Sequence, residues 1–299
     1  MRNPIQRYPF QAMGSACEIV VASANNHEYQ IQQAINEVQR IEQKYSRYRE
    51  DSIVSKINHN AGRSPIVCDE ETWQMFNFAD QLFQMSEGLF DITAGILRQA
   101  WNFSSKELPT ASHLNHLCRL ICWDKCFRRE QSFMLPMREM QIDFGGFGKE
   151  YAADRAAAIL EQSDIKNGYV NLGGDIRFLG PKLDGSSWSI GIQHPRKPDE
   201  LIASIPLQRG GLATSGDYEK YFETEGKRYC HILNPRTGMP VDYWSSISVV
   251  AENSLIAGSY STIAMLLEEK AIKFLEGTGL SYFAVDKHQQ IKFKQQTDT

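Results

Sequence analysis

Two glycine-centred turns, each beside an aspartate, dominate the segment from Asp143 to Asp175. The first reads Asp143-Phe144-Gly145-Gly146-Phe147-Gly148-Lys149-Glu150-Tyr151-Ala152-Ala153-Asp154, and the second Asn171-Leu172-Gly173-Gly174-Asp175. An alanine-rich helix is expected between them, over Tyr151–Glu161. Glycine lets backbone approach a ligand where a Cβ would collide, and its N–H can face phosphate oxygens. Two such turns joined by one helix describe a pocket floor. Thr214-Ser215-Gly216-Asp217-Tyr218 and His231-Ile232-Leu233-Asn234-Pro235-Arg236-Thr237-Gly238 add polar groups of the same kind.

A chain of 299 residues suits one large domain or two modest ones. A net charge of −4, with no Lys/Arg cluster interleaved with aromatics, offers nucleic acid no basic field. No run of about 18 apolar residues occurs, so no membrane span is expected. The first residues carry no apolar stretch of the signal-peptide kind, and a cytoplasmic location is expected on that basis. The six cysteines are too few for a disulfide scaffold in a chain this long. Cys118, Cys122 and Cys126 lie four apart, whereas zinc sites favour close pairs; buried thiols are the expectation.

Hydrophobic periodicity predicts a strand over Cys17–Ala22 and an amphipathic helix over Glu28–Tyr45, with Ile31, Ala34, Ile35, Val38, Ile41 and Tyr45 on one face. Further helices are expected over Thr72–Ser86, Thr110–Cys118, Leu255–Leu267 and Ala271–Glu276. Strands are expected within Ile121–Ile142, over Gly168–Leu179, Ser187–Gln193 and Ser245–Ala251, and in a closing hairpin of Tyr282–Val285 and Gln290–Phe293. Asp184-Gly185 reads as a hairpin turn. Strands mostly follow one another, which favours an α+β fold of mixed, mainly antiparallel sheets flanked by helices. The second glycine pair lacks G-x-G-x-x-G spacing, which disfavours a dinucleotide-binding parallel sheet.

Local sequence leaves several roles open. His231, at the expected end of a strand, can orient a hydroxyl proton near neutral pH or hydrogen-bond a neighbouring turn. Arg236 can meet a phosphate or a surface carboxylate. Asp91 can cap a helix or hold a ribose or purine edge. Tyr48 can stack on a flat ring or pack in the core.

Taken together, these segments resemble the ApbE family of FAD:protein FMN transferases. The resemblance runs from Ala12-Met13-Gly14-Ser15 through Ser46-Arg47-Tyr48, Ser52–Asn58, Gly88-Leu89-Phe90-Asp91 and both glycine turns. It continues through Thr214–Tyr218 and His231–Gly238 to Ser261-Thr262. It implies a single ApbE-like domain over residues 1–299. It also implies an enzyme that moves the FMN half of FAD onto a threonine or serine hydroxyl of an acceptor protein, with AMP leaving and a divalent ion, usually Mg2+, assisting. Carried over residue by residue, it implies that Met13 and Tyr48 pack on the flavin. Leu89, Phe90, Asp91, Lys149 and Ile232 line the rest of the FAD site, and the Gly173-Gly174 and Ser215-Gly216 backbones shape the pocket. His231 orients or deprotonates the acceptor hydroxyl, and the metal is held by the Ala152 carbonyl and Thr262.

The chain departs from this pattern at three places. Gly258 stands where the family carries a metal-binding aspartate, Gly148 replaces a common alanine, and Glu150 replaces a common glycine. A lost carboxylate should weaken magnesium binding. Glu150 is either a stand-in for it or a solvated residue at a helix start. On the first alternative the activity survives. The loss of the aspartate brings a non-catalytic FAD-binding homologue into view, and water in place of the acceptor hydroxyl an FAD pyrophosphate hydrolase; activity gained on Gly258→Asp would mean that the site is otherwise intact.

Overall fold

The computed structural model describes residues 4–104 and 106–295, so both ends of the expected 1–299 domain fall outside the described residues. The strands are β1 (Ile5–Ala12), β2 (Ser15–Ala22), β3 (Ile66–Val67), β4 (Phe127–Arg129), β5 (Ser132–Met134), β6 (Gly168–Leu172), β7 (Asp175–Gly180), β8 (Trp188–His194), β9 (Lys197–Leu207), β10 (Gly210–Gly216), β11 (Tyr221–Thr224), β12 (Lys227–Cys230), β13 (Trp244–Ala251), β14 (Ser281–Asp286) and β15 (Ile291–Lys294). The helices are α1 (Glu28–Tyr45), α2 (Ile53–His59), α3 (Glu70–Met85), α4 (Ala111–Cys118), α5 (Gly148–Gln162), α6 (Ser254–Leu267) and α7 (Ala271–Thr278). None of them is long and apolar enough to cross a membrane.

Eight strands form one sheet in the order β1-β2-β6-β7-β10-β13-β14-β15, and every pairing described is antiparallel. The expected α+β class is therefore what the chain adopts. Along β2 the side chains alternate between the two faces, as a period of two requires. Ile19 and Val21 enter the main core with α1, α5 and α6, whereas Val20 and Ala22 enter a second core under the β8–β9 hairpin, with Tyr169, Phe178 and Trp188. A stacked aromatic group of Phe76, Phe133 and Trp123, joined by Phe144 and Phe147, extends the main core towards the first glycine turn.

The amphipathic stripe of α1 is buried as expected, with Ile35 partly so. Helix ends follow their caps: Asp69 accepts from the Thr72 amide, Thr110 from the His113 amide and Asn253 from the Ile256 amide. The structure also corrects the sequence reading. Gly168–Leu179 is a hairpin rather than one strand, because Gly173 and Gly174 take φ of 67° and 101° between β6 and β7. Asp184-Gly185 turns the chain, yet β7 pairs with β6 and β10, and β8 pairs with β9. The short arm before Cys17 is strand β1, which carries Pro9 and is tolerated at the sheet edge.

Candidate active site

Helix α5 begins directly after the first glycine turn, and its start is held from three sides. Asp143 accepts from Arg47 at 3.1 Å and from the Gly145 amide at 2.8 Å. The Phe90 ring lies so close to Gly146 that a Cβ there would stand 2.8 Å from its Cζ. The Met13 methyl lies 4.0 Å from where a Cβ on Gly148 would stand. Met13 itself, at the β1–β2 turn with φ of 53°, donates its amide to Glu42 at 2.7 Å.

The first turn of α5 presents Lys149 and Glu150. Lys149 Nζ donates to the buried Asp175, at the foot of the second glycine turn. Burial works against the Lys149 charge, but Asp175 and Glu150 outweigh it and hold its pKa above the ordinary value. Glu150 is 6% exposed, and its Oε2 is buried without a hydrogen-bond partner. Burial, reinforced by Asp175 and opposed by Lys149, pushes its pKa up to about 8. Lys149 is bonded to Asp175, and Glu150 feels its charge without a bond.

Glu150 reaches α6 at Gly258. A Cβ built on Gly258 would fall within 3.0 Å of three Glu150 atoms, Oε1, Cγ and Cδ. One turn further along α6, on the same face, three hydroxyls converge. Ser215 Oγ of β10 lies 2.7 Å from Ser261 Oγ and 3.0 Å from Thr262 Oγ1, and Ser261 donates to the Gly258 carbonyl at 2.9 Å. Ala152 is fully buried on the same stretch of α5. Asp154 accepts from the Ser254 and Leu255 amides at 2.9 Å each, so α5 caps the start of α6. A side chain at 258 would enter space that Glu150 already fills.

His231 follows strand β12 as expected, and its amide donates to the Lys220 carbonyl at 3.0 Å. Its Nδ1 is buried without a partner. Burial, then the Arg98 and Lys220 charges, lower its pKa to about 4, and Lys149 is near enough to add to the effect. The imidazole is neutral at neutral pH. Ile232, beside it, is buried at 8% exposure. The Ser215-Gly216 strand end is held by Asp217, which Arg196 of the β8–β9 tip grips with both terminal nitrogens at 2.6 Å.

The other expected site residues fall differently. Tyr48 is 83% exposed and free to meet a flat ring, not packed in the core. Phe90 is core, and Leu89 packs against it at half burial. Asp91 caps the turn that follows it: its oxygens accept from Thr93 N at 2.7 Å, Thr93 Oγ1 at 2.6 Å and Trp123 N at 3.2 Å. Arg236 donates to the backbone carbonyl of Glu87, not to a carboxylate. Asp175, Ser261 and Arg98 also belong to the cluster, though no site role was expected of them. Asp175 ended a glycine motif and was legible there; Arg98 had no signal. Grooves of about 870 and 600 Å3 lie elsewhere, between α6 and α7 and beside Arg177, and share no residue with this cluster.

Among the described residues no three His, Cys, Asp or Glu side chains gather closely enough to hold a metal by themselves. The cysteines are free thiols; Cys122 Sγ faces Met140 Sδ at 4.0 Å and Cys126 Sγ the Cys122 carbonyl at 3.7 Å.

Comparison with known proteins places this arrangement. The family model described as "ApbE family" matches residues 13–284. The FAD:protein FMN transferase of Haemophilus influenzae is 30% identical over 280 residues, covering 89% of this chain and 80% of its own. That of Klebsiella pneumoniae is 30% identical over 267 residues, covering 87% and 82%. The crystal structure of the ApbE protein from Thermotoga maritima superposes with a TM-score of 0.91 at 30% identity, covering 98% of this chain and 97% of its own.

Proposed function

Since the chain belongs to the ApbE family, we propose that it is an FAD:protein FMN transferase acting on a threonine or serine hydroxyl of an acceptor protein. The acceptor oxygen attacks the phosphorus of the FMN half. The bond from that phosphorus to the AMP oxygen breaks, the hydroxyl proton passes to a base, and AMP leaves. Such transfers need little covalent help from the protein; positioning and charge neutralisation lower the barrier.

The observation that carries the reading is His231. An imidazole neutral at neutral pH, with a buried, unpartnered Nδ1 and the Lys149 charge near it, supports a role in orienting or accepting the hydroxyl proton. Lys149 supplies a cation beside the two glycine turns for a pyrophosphate. Tyr48 and Met13 offer faces to the flavin, and Leu89, Phe90 and Ile232 an apolar wall. Gly174 leaves its backbone open for the nucleotide, while Gly173 packs on Ser15 and Gly216 under the Tyr218 ring to shape the pocket beside Ser215. Asp91 serves the site through its cap, by fixing the Leu89–Phe90 approach. The 1–299 chain acts as one domain on this reading, in keeping with a sheet that takes strands from both halves of the sequence.

A magnesium ion fits the donors. Glu150 Oε2 is a buried carboxylate oxygen with no partner, its side chain packs against Gly258, one turn before the Ser261 and Thr262 hydroxyls, and hard oxygen donors suit this ion. Glu150, Thr262 and the Ala152 carbonyl are the residues we assign to it. When bound it would neutralise charge on the pyrophosphate. His231 and Lys149 act from the chain itself: one accepts the proton, the other orients the phosphate.

The test is incubation with FAD, Mg2+ and a peptide bearing a candidate acceptor threonine, read by mass spectrometry and AMP release. A covalent FMN adduct with one AMP per adduct is expected. AMP and free FMN without adduct would turn the reading to hydrolysis, and bound FAD without turnover to a binding protein.

A further inference from the structure

Gly258 and Glu150 sit on different helices, 108 positions apart in sequence, and occupy one space. Three facts bear on that space. A methyl group on Gly258 would meet not only the tip of Glu150 but its Cγ, at 2.5 Å, and Cδ, at 2.8 Å. The Cγ is tied to the α5 backbone by a single carbon, so no rotation of the carboxylate alone removes the clash. Glu150 points its Oε2 into the protein with no donor to satisfy it, a costly arrangement unless a cation takes the oxygen. The cation at hand, Lys149, is already bonded to Asp175, so a further carboxylate here would have no counter-charge.

We infer that positions 150 and 258 form one exclusive unit: the cleft between α5 and α6 holds a single metal-binding carboxylate, α5 delivers it, and glycine at 258 is the condition for its entry. This rests on the metal reading above and deepens it. The departures at 150 and 258 are then one change rather than two. The longer glutamate, from the neighbouring helix, reaches the oxygen position that a short acid on α6 would otherwise supply. The converse also holds: an acid at 258 can enter only after Glu150 has been removed.

Four purified proteins test this: the parent, Glu150→Gly, Gly258→Asp, and the double exchange Glu150→Gly/Gly258→Asp. Each is titrated with Mn2+ alone, followed by electron paramagnetic resonance, and melted without metal. Glu150→Gly should bind Mn2+ at least tenfold more weakly than the parent. Gly258→Asp should melt several degrees lower and gain no affinity. The double exchange should recover both melting temperature and Mn2+ affinity, to within about threefold of the parent. Gly258→Ala, which adds only the Cβ, should lower the melting temperature in the Glu150 background and not in the Glu150→Gly background. A double variant as weak as Glu150→Gly, or one that fails to fold, overturns the inference; so does a Gly258→Asp protein with parental melting and affinity. The outcome is separable from the flavin reading. A parent that transfers FMN while Glu150→Gly binds Mn2+ normally sinks only the exchange. A parent whose Mn2+ binding follows the expected pattern but which forms no adduct sinks only the transfer.

Discussion

His231 makes the sharpest quantitative claim. A free imidazole takes its proton below an ordinary value of 6.5, and burial beside Arg98 and Lys220 lowers that to about 4 in the folded chain. Between those values the unfolded chain binds the proton and the folded chain does not. Stability therefore rises with pH across the window and is lost as pH falls through it. A difference of about 2.5 pH units at about 1.36 kcal/mol each corresponds to about 3 kcal/mol. His231→Gln removes this contribution while keeping a polar side chain. Urea unfolding at pH 7 and pH 4, parent against variant, should show the parent losing about 3 kcal/mol more than the variant over that interval. Transfer by the variant should fall by about 10²–10⁴-fold, with FAD affinity by fluorescence titration near the parental value. The parental rate should show no His231 inflection near pH 6.5. An NMR titration placing His231 at 6 to 7, or equal loss of rate and FAD affinity, would refute the reasoning: the residue would then be solvated or a binding group.

Two further outcomes follow from the same cluster. Lys149→Met leaves Asp175 buried without its cation and should cost about 3 kcal/mol in urea unfolding at pH 7; a loss below about 1 kcal/mol would mean that solvent already screens the pair. Arg196→Met frees Asp217 from its two-pronged grip and should speed amide exchange at Gly216 and Tyr218 while leaving α1 amides unchanged; unchanged exchange at the loop would show that Arg228, at 3.4 Å, suffices to hold it.

The parts of the fold legible in the sequence are those whose signal is local. The α1 stripe buries what its spacing says it buries, and α4, α6 and α7 end within a few residues of expectation. Strand β1 was hidden by Pro9, which marks an edge as readily as an arm. Strands β9 to β11 were hidden because their partners supply the pattern: β9 is largely exposed and β10 is rich in small residues. At the site, the glycine turns and His231 were readable from composition and order. The capping bonds of Asp91 were not, since they appear only once the Thr93 and Trp123 amides are located. Nor was the exclusion between Glu150 and Gly258, a property of two helices packed together that no stretch of either one contains.

Asp154 has a wider bearing than its cap. By bonding the opening amides of α6 from within α5, it stops one helix from sliding along the other. Ala152 and Thr262 belong to those two rods, so this bolt, together with the sheet on which both helices pack, sets their spacing. Loosening it would blur the distance between them without moving any atom of either residue relative to its own helix.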